Sequence, residues 1–378
     1  MNNNKTFKPK KNLAQKIIFI TPRFYPSVGG VERHTYEITK RLIKKGSKVK
    51  IVTELDPKIH NINFSDYQSR VQSDTYSIKM KKPVKSSCFD TFEVENIPVV
   101  AFRFGNSGVF KKFNIWYQMI KNRKLFKQAD IIHCHDVFIW YLPLRFLYPR
   151  KKVFVTFHGY ESYPISKKAI AIRKISELLT NGNICVGDFI KKWYKTKTKF
   201  VIYGAVNIPS VTKLILKPSA LFFGRLDEQT GILEYVKGFN LIRKTNPGFK
   251  LDVIGEGRFR DRIDPGIKVF PATIGAPSYL SNYRYAFVSR YLSALESIAA
   301  KKLTFAIYDN PLKKDYFAMG PLKDFVVLVA SPSQLEKKVK YYLSHPKEEK
   351  EIVDKAYDWV KNQTWEKITN TYLELWKN

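Results

Sequence analysis

The chain reads as an α/β protein of two domains, each a parallel sheet covered by helices. Apolar strand-like runs alternate with helix-period segments almost throughout, which is the pattern of strand–crossover–strand units. Its 378 residues suffice for two sizeable cores. A turn-rich break at Tyr203-Gly204-Ala205-Val206-Asn207-Ile208-Pro209 separates two such series, and the second resumes with a strand at Ala220.

Lys16-Ile17-Ile18-Phe19-Ile20 opens the first series as a strand, and a helix follows over 30–45. Further strands are predicted near 48–53, 97–103, 130–133, 152–156, 183–186 and 199–202, with helices between most of them. The polar, turn-rich segment 54–96 is expected to be irregular. In the second series Leu221-Phe222-Phe223, Leu251-Asp252-Val253-Ile254 and Leu303-Thr304-Phe305-Ala306-Ile307 read as strands. Beyond about Ser331 the chain is mostly helical, and Trp365, Ile368, Tyr372, Leu375 and Trp376 form one apolar stripe on its last helix. The expected units are a basic tail over 1–15, a first domain over 16–207, a second over 208–355 and a terminal helical piece over 356–378.

Composition excludes several classes. A hydrophobic share of 44% with 15% aromatics argues for packed cores and against disorder. The most apolar run, Val137 to Tyr148, is broken by Pro143 and Arg145 and is no membrane span. The first 15 residues lack the apolar centre of a signal peptide, which predicts a cytoplasmic protein. Cys88, Cys134 and Cys185 form no paired motif, as suits a reducing compartment. The formal charge of +33 favours polyanions or anionic lipid surfaces. Residues 109–127 mix lysines with Phe110, Phe113, Trp116, Met119 and Ile120 at helical spacing. Two readings stay open there: a helix lying on an anionic bilayer, or a core helix with a lysine-coated outer face. No aromatic-basic RNA motif accompanies the charge, so no specific nucleic-acid partner is expected.

Four stretches carry chemistry. The run Leu221-Phe222-Phe223-Gly224-Arg225-Leu226-Asp227-Glu228-Gln229-Thr230-Gly231 joins a strand through Gly-Arg to a helix start. Unpaired peptide N–H groups there favour phosphate oxygens, and Arg225 adds a bidentate cation. Thr21-Pro22-Arg23-Phe24-Tyr25-Pro26-Ser27-Val28-Gly29-Gly30-Val31-Glu32-Arg33-His34 follows the first strand, and Gly29-Gly30 lets backbone approach a ligand at a helix start. Val153-Phe154-Val155-Thr156-Phe157 ends in His158-Gly159. Tyr291-Leu292-Ser293-Ala294-Leu295-Glu296-Ser297-Ile298-Ala299-Ala300 is a helix with one acid. In addition, Gly255 lies in a strand-to-turn run where backbone amides can meet a nucleotide. His133-Cys134-His135-Asp136 places two histidines on one strand face, but no second ligand cluster accompanies it and no metal is expected. No Asp-x-Asp pair occurs, which disfavours a transferase that bridges metal and diphosphate through acids.

Taken in order, these motifs resemble the family 4 retaining glycosyltransferases of the GT-B fold, over a span from about Ile17 to the C-terminus. The resemblance implies two Rossmann-like domains facing across a cleft, with the C-terminal helix crossing back to the first. It implies a nucleotide-sugar donor on the second domain and a glycan or lipid-linked acceptor on the first, beside segment 54–96. Arg225 would then neutralise the donor diphosphate, Glu296 hold the nucleotide ribose and His158 sit at the donor sugar. Gly29, Gly30, Gly224, Thr230, Gly231 and Gly255 would line the donor site. Two departures stand out: Thr230 where the family has a lysine that shares the diphosphate, and Val288 where it has a first acid. Lys313 and Lys314, at the helix start after the Leu303–Ile307 strand, are the candidates to restore the lost charge. The implied activity is metal-independent transfer of a hexose, with retention, to a hydroxyl of a lipid-linked or polysaccharide precursor of the cell envelope. No cofactor is implied beyond the nucleotide sugar itself; the net charge, apart from the resemblance, adds an anionic inner membrane face as an expected partner. Thr230 and Val288 keep a second reading open, a degenerate GT-B protein that binds nucleotide or glycan without turnover.

Overall fold

A computed structural model of the chain describes residues 14–27, 29–55, 79–81, 83–105, 108–210 and 215–377. Its first sheet is built from β1 (Lys16–Ile20), β2 (Lys48–Glu54), β3 (Val84–Lys85), β4 (Phe89–Val94), β5 (Ile97–Phe102), β6 (Ile131–His135), β7 (Lys152–Phe157), β8 (Gly182–Val186) and β9 (Phe200–Ile202). The strand order is β3-β4-β5-β2-β1-β6-β7-β8-β9, parallel from β5 to β9. The central strands β1 and β6 are covered on both faces, so their sequences read as continuous buried runs rather than alternating ones.

The expectation of an irregular segment over 54–96 needs correcting at its end. There β4 and β5 form an antiparallel hairpin in which Val94 opposes Ile97, and a short β3 extends it. Glu95 and Asn96 turn the chain with φ of 50° and 64°, the left-handed pair that matches strand twist. Asp90, Phe92 and Val94 are buried while Phe89, Thr91 and Glu93 are half-buried, a period of two that acidic residues had obscured. Residues 56–78 of that segment, like the tail over 1–13, lie outside the described residues.

The second sheet comprises β10 (Ser219–Phe223), β11 (Lys250–Ile254), β12 (Lys268–Phe270), β13 (Tyr285–Val288), β14 (Leu303–Ile307) and β15 (Val326–Val329). It runs β12-β11-β10-β13-β14-β15, parallel throughout. The helices Pro332–Ser344, Pro346–Val360 and Trp365–Lys377 then complete the described chain. Among the described residues, no helix is long and apolar enough to cross a membrane.

The last helix leaves the second sheet and docks under the first. Its stripe of Trp365, Ile368, Tyr372, Leu375 and Trp376 is buried there, Val206 N–H donates to Gln363 O at 3.0 Å, and Lys45 pairs with Glu366 at 2.5 Å. Beneath it lies a polar chain. Burial pulls the pKa of His34 down to about 3 and that of His133 well below the usual imidazole value, so both rings are neutral. Trp376 Nε1 can only donate, so His133 accepts at Nδ1 (3.0 Å) and donates from Nε2 to Thr156 Oγ1 (2.8 Å). Thr156 Oγ1 and Tyr372 Oη share a hydrogen bond (2.8 Å), and Tyr372 Oη shares another with His34 Nε2 (2.8 Å).

Tyr372→Phe leaves the His34 nitrogen and the Thr156 hydroxyl without their shared partner. The expected cost is about 1–3 kcal/mol of stability, read from urea unfolding. An unchanged midpoint and slope would mean the relay does not hold the helix.

Candidate active site

Both parallel sheets present their C-terminal strand ends to one cleft of about 700 Å³. One wall is the segment after β1, with Arg23, Tyr25, Gly29, Gly30 and Arg33. The other wall is built from the turns after β10, β11 and β13, which contribute Gly224, Arg225, Thr230, Gly255, Arg258, Arg290 and Glu296 among others. Seven of the expected site residues therefore line the cleft: Gly29, Gly30, Gly224, Arg225, Thr230, Gly255 and Glu296. His158, Gly231, Lys313 and Lys314 are not on its wall.

Gly29 and Gly30 open the helix Gly30–Lys44, but that helix start is already served by an acid. Glu32 folds its carboxylate back so far that a β-carbon on Gly29 would collide with it. Burial raises the Glu32 pKa above the usual carboxylate value, against its own backbone N–H, Arg23 and Arg225. A β-carbon on Gly30 would meet nothing, and Glu32 occupies the positive pole that a phosphate would seek.

The turn after β10 brings Arg225 to the cleft. Gly224 has a φ of 154° and spends its N–H on Ile254 O at 3.0 Å, so it shapes the turn. Arg225 is half exposed, with Asp227 Oδ2 at 3.0 Å and Gln229 Oε1 at 3.2 Å. Thr230 lines the cleft, and its Oγ1 is spent on the turn: it donates to Asp227 O at 2.8 Å and accepts from Asp227 N–H at 3.4 Å. It closes the 3-10 turn Glu228–Thr230 as a reciprocal cap. Gly231 follows with a φ of 68°, its N–H bonded to Glu228 O at 3.2 Å.

Lys313 fills the space behind that turn. Its helix, Pro311–Ala318, is capped by Asn310 and buries Leu312, Lys313, Tyr316 and Phe317. Lys313 is 1% exposed, and its Nζ stands 3.1 Å from where a β-carbon on Gly231 would be. Among the described residues that Nζ has no hydrogen-bond partner. Burial pushes its pKa down to about 8, Arg290 adds to the push, and Asp309 and Asp227 oppose it. Lys314, one residue on, is turned by about 100° around the helix and is exposed, so of the two expected replacements only Lys313 reaches the turn.

Glu296 is 9% exposed, with Arg33 Nη1 of the opposite wall 3.7 Å from its carboxylate. Burial raises its pKa to about 7, Arg33 opposing. Val288 is a core residue of β13 whose carbonyl accepts from Tyr235 Oη at 2.6 Å. Sequence reasoning missed Arg290. It precedes the Glu296 helix, donates to Gln229 Oε1 at 2.7 Å and lies over the Tyr160 ring at 4.8 Å. Gln229 in turn donates to the Glu161 carbonyl of the first domain, closing one end of the cleft. A cation directly after β13, next to the expected acid, was the available signal.

His158 does not reach the wall. Its Nε2 is 2.8 Å from His135 Nδ1, its backbone N–H donates to Asp136 Oδ1 at 2.9 Å, and its ring centroid lies 4.8 Å from that of His34. His158 itself is half-buried, packed against the buried imidazoles of His34 and His135. The His133 nitrogens are likewise spent on Trp376 and Thr156, which leaves none for a metal.

Gly255 also departs from the expected role, since its N–H is committed to Phe270 O at 3.0 Å. What it supplies is backbone contact: a β-carbon there would run into Gly224 O. Gly255→Ala is expected to cost about 1–3 kcal/mol in urea unfolding, because two backbones must part. Parental stability in that variant would show that the turns are not in contact.

Residues 28–208 match the model of Glycosyltransferase Family 4. No curated protein sequence matches the chain. Among solved structures the chain is similar to TarM, at 11% identity and a TM-score of 0.69 over 97% of this chain and 99% of that one. It is similar to Anabaena HepE in complex with UDP and glucose, at 12% identity and 0.70 over 95% and 98%. A glycosyltransferase from Rickettsia africae ESF-5 gives 16% identity and 0.66 over 96% and 98%. The chain thus carries the GT-B fold of the glycosyltransferases, and its residues 28–208 match the Glycosyltransferase Family 4 model.

Proposed function

We propose that the protein transfers a hexose from a nucleoside-diphosphate sugar to a hydroxyl of a lipid-linked or polysaccharide precursor, with retention and without a metal. The observation that carries this reading is Lys313, a buried ammonium with no partner directly behind the Arg225 turn. Arg225 and Arg290, after β10 and β13, both donate to Gln229 Oε1, and Arg290 is near enough to Lys313, after β14, to depress its ammonium pKa. The leaving group of sugar transfer is a diphosphate whose charge grows as the glycosidic bond breaks. Fixed cations aimed at it lower the barrier because they need not reorganise. Arg225 would exchange Asp227 for a phosphate, and Glu296 would exchange Arg33 for ribose hydroxyls. Related folds support the donor class: S. aureus TarM was solved with UDP and alpha-GlcNAc-glycerol, and HepE with UDP-glucose. Retention is carried over from the family resemblance.

A second reading, binding without turnover, is favoured by one observation: Thr230 is committed to its cap and Val288 to the core. Release of nucleoside diphosphate from a panel of nucleotide sugars, with acceptor extract and chelator present, separates the two. Release above the rate without acceptor supports transfer, and its absence with every donor supports the binder.

Titration with a nucleoside diphosphate tests the cation cluster. Arg225→Ala and Lys313→Met should each weaken binding by about 10- to 100-fold, the size of a charge-assisted contact, while Lys314→Met leaves it unchanged. Equal affinity for Lys313→Met and the parent would remove the buried lysine from the site.

Glu296 gives a pH signature. Its carboxyl, with a pKa raised to about 7, must be ionised to accept from ribose hydroxyls. Affinity for a nucleotide sugar, whose diphosphate does not titrate in this range, should rise from pH 6 to pH 8, and Glu296→Gln should flatten the rise. A pH-independent parent would place the ribose elsewhere.

A further inference from the structure

The helix Val109–Lys121 has two apolar faces, and the fold uses only one. Ile115 and Met119 are buried at 4% and 0% exposure, and Trp116 Nε1 donates to Ile139 O at 2.8 Å in the neighbouring helix Phe138–Leu147. On the opposite side Phe110, Phe113, Tyr117 and Ile120 are exposed by 87%, 60%, 61% and 43%. Their spacing puts them on one stripe. A core helix with a lysine-coated outer face, one of the two readings of this segment, would not carry it.

Topology places this stripe on an open layer. The crossovers from β5 to β6, β6 to β7 and β7 to β8 all run the same way along the sheet, so right-handed connection sets their helices on one face. The helix Gly30–Lys44 crosses the other way, and the C-terminal helix packs against it on the far face. The open layer adds Phe146 and Leu147, exposed by 69% and 50%.

Charge surrounds the stripe on its own element. Residues 109–127 hold six Lys and Arg and no Asp or Glu. Glu54 pairs with Lys111 at 2.5 Å. Lys121 Nζ lies 5.7 Å from the Tyr117 ring centroid. Lys112 stands beside Lys168 from the helix Lys167–Leu179, close enough that Lys168 depresses the Lys112 ammonium pKa.

We propose that this face docks on an anionic lipid bilayer, with Phe110, Phe113, Tyr117 and Ile120 entering the headgroup–acyl boundary and the flanking lysines meeting lipid phosphates. A second copy of the chain would set the same cations against each other. A nucleic acid would answer the cations and leave most of the apolar stripe in water. An anionic membrane answers both.

The test is co-sedimentation of the full chain with phosphatidylcholine vesicles containing about one-third phosphatidylglycerol, against pure phosphatidylcholine, across a salt series. The parent should bind only the anionic vesicles, and less as salt rises. The triple variant Phe110→Ser/Phe113→Ser/Tyr117→Ser keeps every charge and alters only exposed side chains. It should lose binding about tenfold or more. A control in the second half of the chain, Lys337→Ser/Lys338→Ser/Lys347→Ser, removes charge elsewhere and should bind almost as the parent does. The proposal fails if the parent ignores anionic vesicles at low salt, or if the triple variant binds like the parent. It fails equally if the control loses as much as the triple variant, which would leave net charge as the cause. Loss of a dimer or of RNA binding in the triple variant, with vesicle binding intact, would assign the face to another partner and overturn it.

Discussion

Because parallel strands can be joined only by crossovers, the parallel strands of each sheet end at one edge of that sheet, and the segments after β1, β10, β11 and β13 line the cleft. Gly29 and Gly30 follow β1, Gly224 and Arg225 follow β10, Gly255 follows β11, Arg290 follows β13 and Lys313 follows β14. No two of these strand ends are close in sequence to all the others, yet pairing brings them to one place. The C-terminal helix ties its docking into the same scheme: its Tyr372 hydroxyl sits between Thr156 of β7 and His34 of the helix after β1.

Burial then sets the chemistry of these groups more than pairwise charge does. Burial is the first cause of the shifted pKa at Lys313, Glu296, Glu32 and the four buried imidazoles alike. The outcomes differ because the partners differ. His133 finds partners at both ring nitrogens, whereas His135 Nε2, among the described residues, has none. Lys313, whose pKa of about 8 leaves it mostly charged at neutral pH, has no acceptor at its Nζ. An uncompensated buried ammonium is unfavourable, and an anion bound beside it would relieve that cost. Glu296 lies near its own midpoint at pH 7, with only Arg33 at 3.7 Å to hold its charge.

The parallel architecture was legible because buried strands such as Ile17–Ile20 and Leu221–Phe223 read as unbroken apolar runs. The glycines were legible because few residues fit a close backbone approach. Less visible was β4, where Asp90 and Glu93 broke the apolar alternation. The choice between Lys313 and Lys314 needed the helix phase that the Asn310 cap sets. Arg33 facing Glu296 and Arg290 meeting Gln229 depend on how distant segments pack, which no local pattern encodes.

The most direct measurement is a structure of the chain with a nucleoside diphosphate bound. Phosphate oxygens within hydrogen-bond distance of both Arg225 and Lys313, with the Arg225–Asp227 pair broken, are the predicted result. A diphosphate bound away from the turn after β10, with the Lys313 ammonium still without a partner, would contradict the assignment of this cleft to a nucleotide-sugar donor.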